Sequence, residues 1–367
     1  MEIYTASRIR VARQCRRLHH YRYTLGLRGP ETDRMRFGTV GHAALEVYYL
    51  EWKSGDATDR LPHALALESA DGQFDPVDAI KLRVLLRAYD ARWGGEDWEV
   101  LAVERQFEYE LGEYRISGKI DAIIRNRPDG RIYVVEHKTT GSDASVGSAY
   151  WERLTLDTQV SIYIDGASML GYEIAGVIYD VLKRPAHEPK LMTAEPARKY
   201  TVGKGCKACG GSAGGKAGVV RGRGVYTVLM EGTTITNPCL ACNGTGWKLD
   251  ADGEPQAPRL HANLRDVDET PAEFEARLIE AIAERPDDFL MRGVVVRLDA
   301  ELPAMRQDLL DEIALIETGF APRNADACVR GGEMCAFFQL CVGRADASQF
   351  DRGPAHPELS AGTKEVP

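Results

Sequence analysis

The sequence predicts an α/β fold, a central mixed sheet flanked by helices, and three observations carry that expectation. Apolar residues recur at helical spacing up to about residue 93, and the period then drops to two over residues 100–137. A further helical stretch leads into a short β-branched run at 174–182, which adds a buried strand beyond a crossover. A Gly-, Lys- and Ser-rich stretch from about 188 to 261 interrupts the pattern and marks an insertion.

Taken in order, Ser7 is placed to cap a helix running to about Tyr23. Residues 41–52 form a second helix, with Leu45, Tyr48 and Tyr49 on its apolar face. Residues 76–93 form a third, through Ile80, Val84, Leu85 and Ala88. Strands follow at 100–111, 114–125 and 131–137, the last two joined by the turn signal Arg-Pro-Asp-Gly. Residues 158–170 return to helix and 174–182 to strand. After the insertion, Thr270-Pro271-Ala272-Glu273 reads as a capping box with Pro at the first helical position. A helix to about Glu284, a strand near 291–298 and a helix over 300–318 complete the order, and the polar segment from Ser348 reads as a mobile tail.

The chain has 367 residues, 44% of them hydrophobic, enough for one large domain with an insertion or for two domains. No run approaches the roughly 18 apolar residues of a membrane span. The N-terminal MEIYTASRIR lacks the apolar core of a secretory signal, so the expected location is the cytoplasm of a bacterial cell or of a phage-infected host. Net charge is -9, yet residues 8–36 hold nine Arg against Glu31 and Asp33, and residues 190–223 hold eight Lys or Arg against Glu195. Two basic segments on an acidic body suit local contact with a phosphate backbone, although solvated basic loops would look the same.

One constellation carries chemistry. Gly118-Lys119-Ile120-Asp121 is followed fifteen residues after the Asp by Glu136-His137-Lys138. A tight turn should pair the two strands antiparallel. Glu136 and Lys138, two apart, then share a face that Asp121 reaches from its neighbour. Two carboxylates suit a hard divalent ion, Mg²⁺ or Mn²⁺, and the backbone carbonyl of His137 is a further candidate ligand. A lysine beside such an ion can orient a water and offset charge on a phosphoryl group. On spacing alone the pattern is also that of an exposed Glu–Lys pair. It stands, however, where the apolar run Ile132–Val135 ends abruptly in charge. Glu104, on the preceding strand, is a weaker acidic candidate.

The string GKIDAIIRN…RIYVVEHKTT resembles the PD-(D/E)XK nuclease core of the RecB family, which includes the nuclease domains of RecB and AddB and the CRISPR-associated RecB-type exonucleases. Lys119-Ile120 stands where the family's nominal Pro precedes the Asp. Upstream, Gly38-Thr39-Val40-Gly41-His42-Ala43-Ala44-Leu45-Glu46 is similar to the family's G-x-x-x-H-x-x-L-E helix. Downstream, Gln159 and Tyr163 stand as in its Q-x-x-x-Y helix. The resemblance spans about residues 5–183 and 285–345. It implies a restriction-endonuclease-like core and His42 as a metal ligand alongside Asp121 and Glu136. It implies Lys138 as the residue that positions the water, Gln159 and Tyr163 near the active site and DNA, and exonucleolytic cleavage of DNA at single-stranded ends. The alternative is a DNA-end-binding or assembly factor that uses its nuclease site little.

The eight cysteines fall into two sets. Cys206-x2-Cys209 and Cys239-x2-Cys242 have the spacing of tetrahedral thiolate knuckles, for which Zn²⁺ is the usual occupant, and they resemble the knuckles of DnaJ-type zinc domains. Cys15 stands alone far upstream of Cys328-x6-Cys335-x5-Cys341. On spacing this set is open to a zinc site or to buried thiols. Its resemblance to the staple of AddB and the CRISPR-associated exonucleases implies a [4Fe–4S] cluster tying the chain ends together. The expected organisation is therefore helices and nuclease core over 1–190, a zinc-binding insertion over 191–262, the rest of the core and the iron–sulfur segment over 263–347, and a tail over 348–367.

Overall fold

The computed structural model describes residues 2–55, 59–70, 74–210, 213–214, 225–230, 233–330 and 332–360. The chain divides into two compact units, residues 1–187 with 275–367, and residues 188–274. Among the described residues no helix is long and apolar enough to cross a membrane.

The first unit is built on a six-stranded mixed sheet. Its strands are β1 (Ile3–Tyr4), β2 (Trp98–Leu111), β3 (Tyr114–Asn126), β4 (Ile132–Thr140), β5 (Ile174–Lys183) and β6 (Leu290–Val295). β2 pairs antiparallel with β3 along its length. On the other edge of β3, β1 pairs parallel at Arg115 and Ile116, and β4 pairs antiparallel from Ala122 to Arg125. β4 then runs parallel to β5, and β6 closes the sheet antiparallel to β5. The parallel pair requires a crossover, which α6 supplies.

The helices longer than one turn are α1 (Ala6–Gln14), α2 (Asp33–Ser54), α3 (Arg60–Ala70), α4 (Pro76–Trp93), α5 (Ala149–Leu154), α6 (Thr158–Met169), α7 (Pro271–Glu284) and α8 (Leu302–Glu317). α1 and α8 contact α6, and Arg306 of α8 clamps Asp165 of α6 with two hydrogen bonds of 2.9 and 2.7 Å. Together they cover a core of Ile9, Phe107, Ile120, Val134, Val160, Val177 and Ile313. Next to this core, Asp180 is fully buried on β5. It accepts from Tyr89 Oη at 2.6 Å and from the Arg292 guanidinium of β6, which stacks over Trp93 and Trp98. A buried carboxylate so fully paired pins the register of β5 and β6.

Three expectations are corrected. Thr5, not Ser7, caps the first helix, accepting from Arg8 N at 3.1 Å. That helix does not run unbroken to Tyr23, because Cys15 is extended (φ -162°, ψ 115°) and separates α1 from a short turn at Arg16–His19 and a wider turn at His20–Thr24. The segment from Ser348 is held as far as residue 360: Asp351–Arg352 pairs with Leu27–Arg28, and Gln106 Nε2 donates to the Leu359 carbonyl at 2.7 Å. Residues 361–367 lie outside the described residues. The capping box before α7 forms as expected, with Glu273 N donating to Thr270 Oγ1 and Thr270 N donating to the Glu273 carboxylate.

The second unit contains the paired-cysteine segments, a two-residue ladder of Gly203–Lys204 with Ala213–Gly214, and single antiparallel bridges such as Tyr200–Leu260 and Gly205–Trp247. Residues 225–230 and 233–238 pair as an antiparallel hairpin.

Candidate active site

Alternation along β3 buries Ile120 and Ala122 and turns Lys119 and Asp121 to the other face. The β3–β4 ladder stops at the pair Ala122–Val135. At the next step a side chain replaces the backbone rung, as His137 N donates to Asp121 Oδ2 at 2.8 Å. β3 and β4 therefore splay at Asp121, while β5 holds β4 in register as far as Thr140. The splay opens the sheet where Glu136 and Lys138 emerge, and their side chains form an ion pair.

His42 comes from α2, whose N-terminus Thr32 caps and whose apolar stripe buries Phe37, Ala44, Leu45, Tyr48 and Tyr49. The helix lies close on the end of β4. A Cβ at Gly38 would sit 3.1 Å from Thr139 Oγ1, and one at Gly41 would sit 3.4 Å from Thr139 Cγ2. The missing side chain at Gly38 permits an approach that brings His42 Nδ1 to 3.7 Å from Asp121 Oδ2. Gln159 and Tyr163 come from α6, which Asp157 caps by accepting from Gln159 N at 2.9 Å. One helical turn apart, they are joined by Gln159 Nε2 donating to Tyr163 Oη at 2.7 Å. Gln159 also donates to Glu136 Oε1 at 2.8 Å and accepts from Lys138 Nζ at 3.2 Å, so it bridges both ends of the ion pair.

The two carboxylates are driven apart. Burial pushes Glu136 up to about 7, the charge of Asp121 adds to the rise, and Lys138 offsets part of it. Burial would raise Asp121 too, but the hydrogen bonds and charge of His137 and the charge of His42 hold it well below the usual carboxylate range. Burial lowers His42 to about 4, against the pull of Asp121, which leaves the imidazole neutral. Glu136 Oε2 is buried without a hydrogen-bond partner. A buried carboxylate oxygen left unpaired beside a neutral imidazole and an ionised Asp matches a donor set for a hard divalent cation.

The side chain of His137 lies beside Asp121, with Nδ1 3.5 Å from Asp121 Oδ2, and its ring packs 4.9 Å from that of Tyr49. Glu104 takes a left-handed conformation (φ 49°) where the β2–β3 ladder skips the position opposite Asp121. Its carboxylate pairs with Lys119, and burial together with the charge of Asp121 raises it to about 7. Glu46 belongs to the same group, raised by burial, lowered by Lys119 and raised again by Asp121. Sequence reading assigned Glu46 no role. Its place four residues after His42, one turn along the same helix, was the available signal.

The basic stretch at the N-terminus is largely consumed within the protein. Arg8 pairs with Glu2, Arg13 and Arg16 with Glu312, and Arg36 with Glu31. In the second basic stretch, residues 211–212 and 215–224 lie outside the described residues.

The eight cysteines are free thiols in two groups. In the second unit, Cys206, Cys209, Cys239 and Cys242 are buried with their sulfurs all within 4.8 Å of one another, an arrangement that can hold one metal ion. Left-handed residues turn the chain after each knuckle: Gly210 (φ 81°), and Asn243 (φ 48°) followed by Gly244 (φ 75°). Gly246 N donates to Cys242 Sγ at 3.3 Å. In the first unit, Cys15, Cys328, Cys335 and Cys341 line one cavity with Leu18, Tyr21 and Phe337. Asn324 Nδ2 donates to the Gln14 carbonyl at 3.0 Å, which ties the two chain ends beside Cys15. Burial pushes the Cys335 thiol up, and the other three thiols add to the rise.

A family model described as the PD-(D/E)XK nuclease superfamily matches residues 4–342. Among solved structures, the one described as "Crystal structure of SSO0001" is 21% identical and covers 38% of this chain, with a TM-score of 0.20, too loose a superposition to bear on fold or function. This chain spans 61% of the length of that solved chain. No curated protein matches.

Proposed function

The chain belongs to the PD-(D/E)XK nuclease superfamily, whose members use divalent metals and act on nucleic acid, and from that premise we propose that it is a DNA exonuclease working at single-stranded ends. The observation that carries the reading is the convergence of His42, Asp121, Glu136 and Lys138 at the splay of β3 and β4, with Glu136 Oε2 buried and unpaired. His42, Asp121, Glu136 and the His137 carbonyl would hold Mg²⁺ or Mn²⁺. When bound, the ion supplies polarisation of the scissile phosphoryl group and acidification of a water. Lys138 orients that water and offsets charge on the phosphoryl oxygens. Gln159 keeps Lys138 and Glu136 in place, and Tyr163 keeps Gln159 in place. Single-stranded ends and exonucleolytic action are supported by the RecB-like motif set of the sequence.

The four thiols around the cavity of the first unit are read as ligands of a [4Fe–4S] cluster, and the four clustered thiols of the second unit as a closed Zn²⁺ site. The likeness to the CRISPR-associated RecB-type exonucleases and the AddB nuclease domain supports the first assignment. The paired C-x2-C spacing supports the second.

The test is cleavage of end-labelled single-stranded DNA by anaerobically purified protein, with Mg²⁺ or Mn²⁺ against EDTA and with Lys138→Ala beside wild type. The expected outcome is metal-dependent loss of label that disappears in the variant. Undiminished cleavage by Lys138→Ala would remove this site from the reaction, and binding without any cleavage by wild type would favour a DNA-end-binding factor.

A further inference from the structure

Among the described residues, the cavity lined by Cys15, Cys328, Cys335 and Cys341 has one cationic side chain on its wall. Arg17 lines it, two residues beyond Cys15, and Arg17 Nε is buried without a hydrogen-bond partner. Its neighbour Arg16 is committed elsewhere, to Glu312 of α8. The guanidinium of Arg17 and the thiol of Cys341 both lie against the hydroxyl of Tyr21, inside the cavity that the four cysteines line. The remaining lining is apolar in large part, with Leu18, Phe337 and Phe338.

A buried guanidinium N–H with no acceptor is costly unless something in the cavity accepts it. Four thiolates around an iron–sulfur core leave a net negative charge that grows on reduction, in surroundings that supply little water to screen it. We propose that Arg17 is the charge-compensating donor to the sulfur-ligated group in this cavity, its Nε–H directed at a thiolate or sulfide. In that role Arg17 favours the reduced over the oxidised cluster, which raises the reduction potential, and helps the site retain its iron. The inference rests on reading the cavity as an iron–sulfur site. Lys in place of Arg keeps the charge but loses the planar fork that presents Nε–H sideways to a sulfur, so it should restore the effect only in part.

The experiment compares anaerobically purified wild type, Arg17→Gln and Arg17→Lys by iron and sulfide content, by potentiometric titration followed by electron paramagnetic resonance, and by the rate of iron loss in air. Arg17→Gln is expected to show a midpoint potential shifted to lower values and faster iron loss, with Arg17→Lys between it and wild type. A folded Arg17→Gln protein, by far-ultraviolet circular dichroism, that holds no iron would also support the role. If Arg17→Gln does not fold, the potential of Arg17→Lys decides. Wild-type potential and wild-type iron retention in the folded Arg17→Gln variant, or in Arg17→Lys where that variant decides, would overturn the assignment. Wild-type protein without iron would instead overturn the iron–sulfur reading beneath it.

Discussion

Gln159 donates to Glu136 and Tyr163 and accepts from Lys138. Its amide is therefore a positioning device for two residues of the site. Supporting contacts of this kind are typically worth about 10–100-fold in metal affinity or activity. Gln159→Ala should lower single-turnover cleavage by about that factor while thermal stability stays near wild type, and an unchanged rate would mean that Lys138 and Glu136 hold themselves. At this scale much of the site was legible. Asp121, Glu136 and Lys138 are marked by spacing, and period-two and period-four arithmetic places their faces. The left-handed Glu104 and the proximity of Glu46 to Asp121 were not legible, because both depend on where a ladder is interrupted and where a helix lands.

The elements that carry those residues are held by close approaches that only glycine allows. The Phe107 ring of β2 lies between Gly118 of β3 and Gly166 of α6, where added Cβ atoms would come within 2.5 and 2.4 Å of the ring. Gly166→Ala would gain helix propensity, but a contact that short forces the ring or the helix to move. Overpacking of this kind costs about 1–3 kcal/mol, more than the roughly 1 kcal/mol of propensity gained. Urea denaturation of Gly166→Ala should show the net loss, with cleavage reduced because α6 carries Gln159. Adding Phe107→Leu should recover part of the stability, and a Gly166→Ala protein as stable as wild type would show that the packing yields cheaply. Helix and strand positions along this part of the chain follow the hydrophobic period closely. The break at Cys15 does not, since the Arg-rich sequence around it reads as one continuous helix and Cys15 leaves helical geometry only in the folded chain.

For the whole molecule, the division into two units sets the expected response to metal removal. The second unit gathers four buried cysteines at its centre, and a tetrathiolate metal site in so small a unit supplies folding free energy, about 10 kcal/mol or more in isolated zinc-binding peptides. Cys242→Ser, or a strong chelator, should abolish a calorimetric transition belonging to residues 188–274 and release the bound metal, leaving the transition of the first unit. A scan unchanged by complete metal loss would make the ion dispensable to that fold.

The sequence by itself determined the α/β class, the order of the main strands and helices from residue 76 to 182, the carboxylate–lysine set and the division of the cysteines into two groups. All of these are recorded in period, spacing and composition, which are local properties of the chain. Tertiary structure alone decided that β3 and β4 part at Asp121, that His42 reaches Asp121 over Gly38, and that Arg8, Arg13, Arg16 and Arg36 pair with carboxylates of the same chain. It also decided that Arg17 Nε is buried without a partner in the cavity lined by thiols drawn from both ends of the chain. The reason is physical. Each of these features depends on which distant groups share a small volume, and neither propensity nor periodicity carries that information.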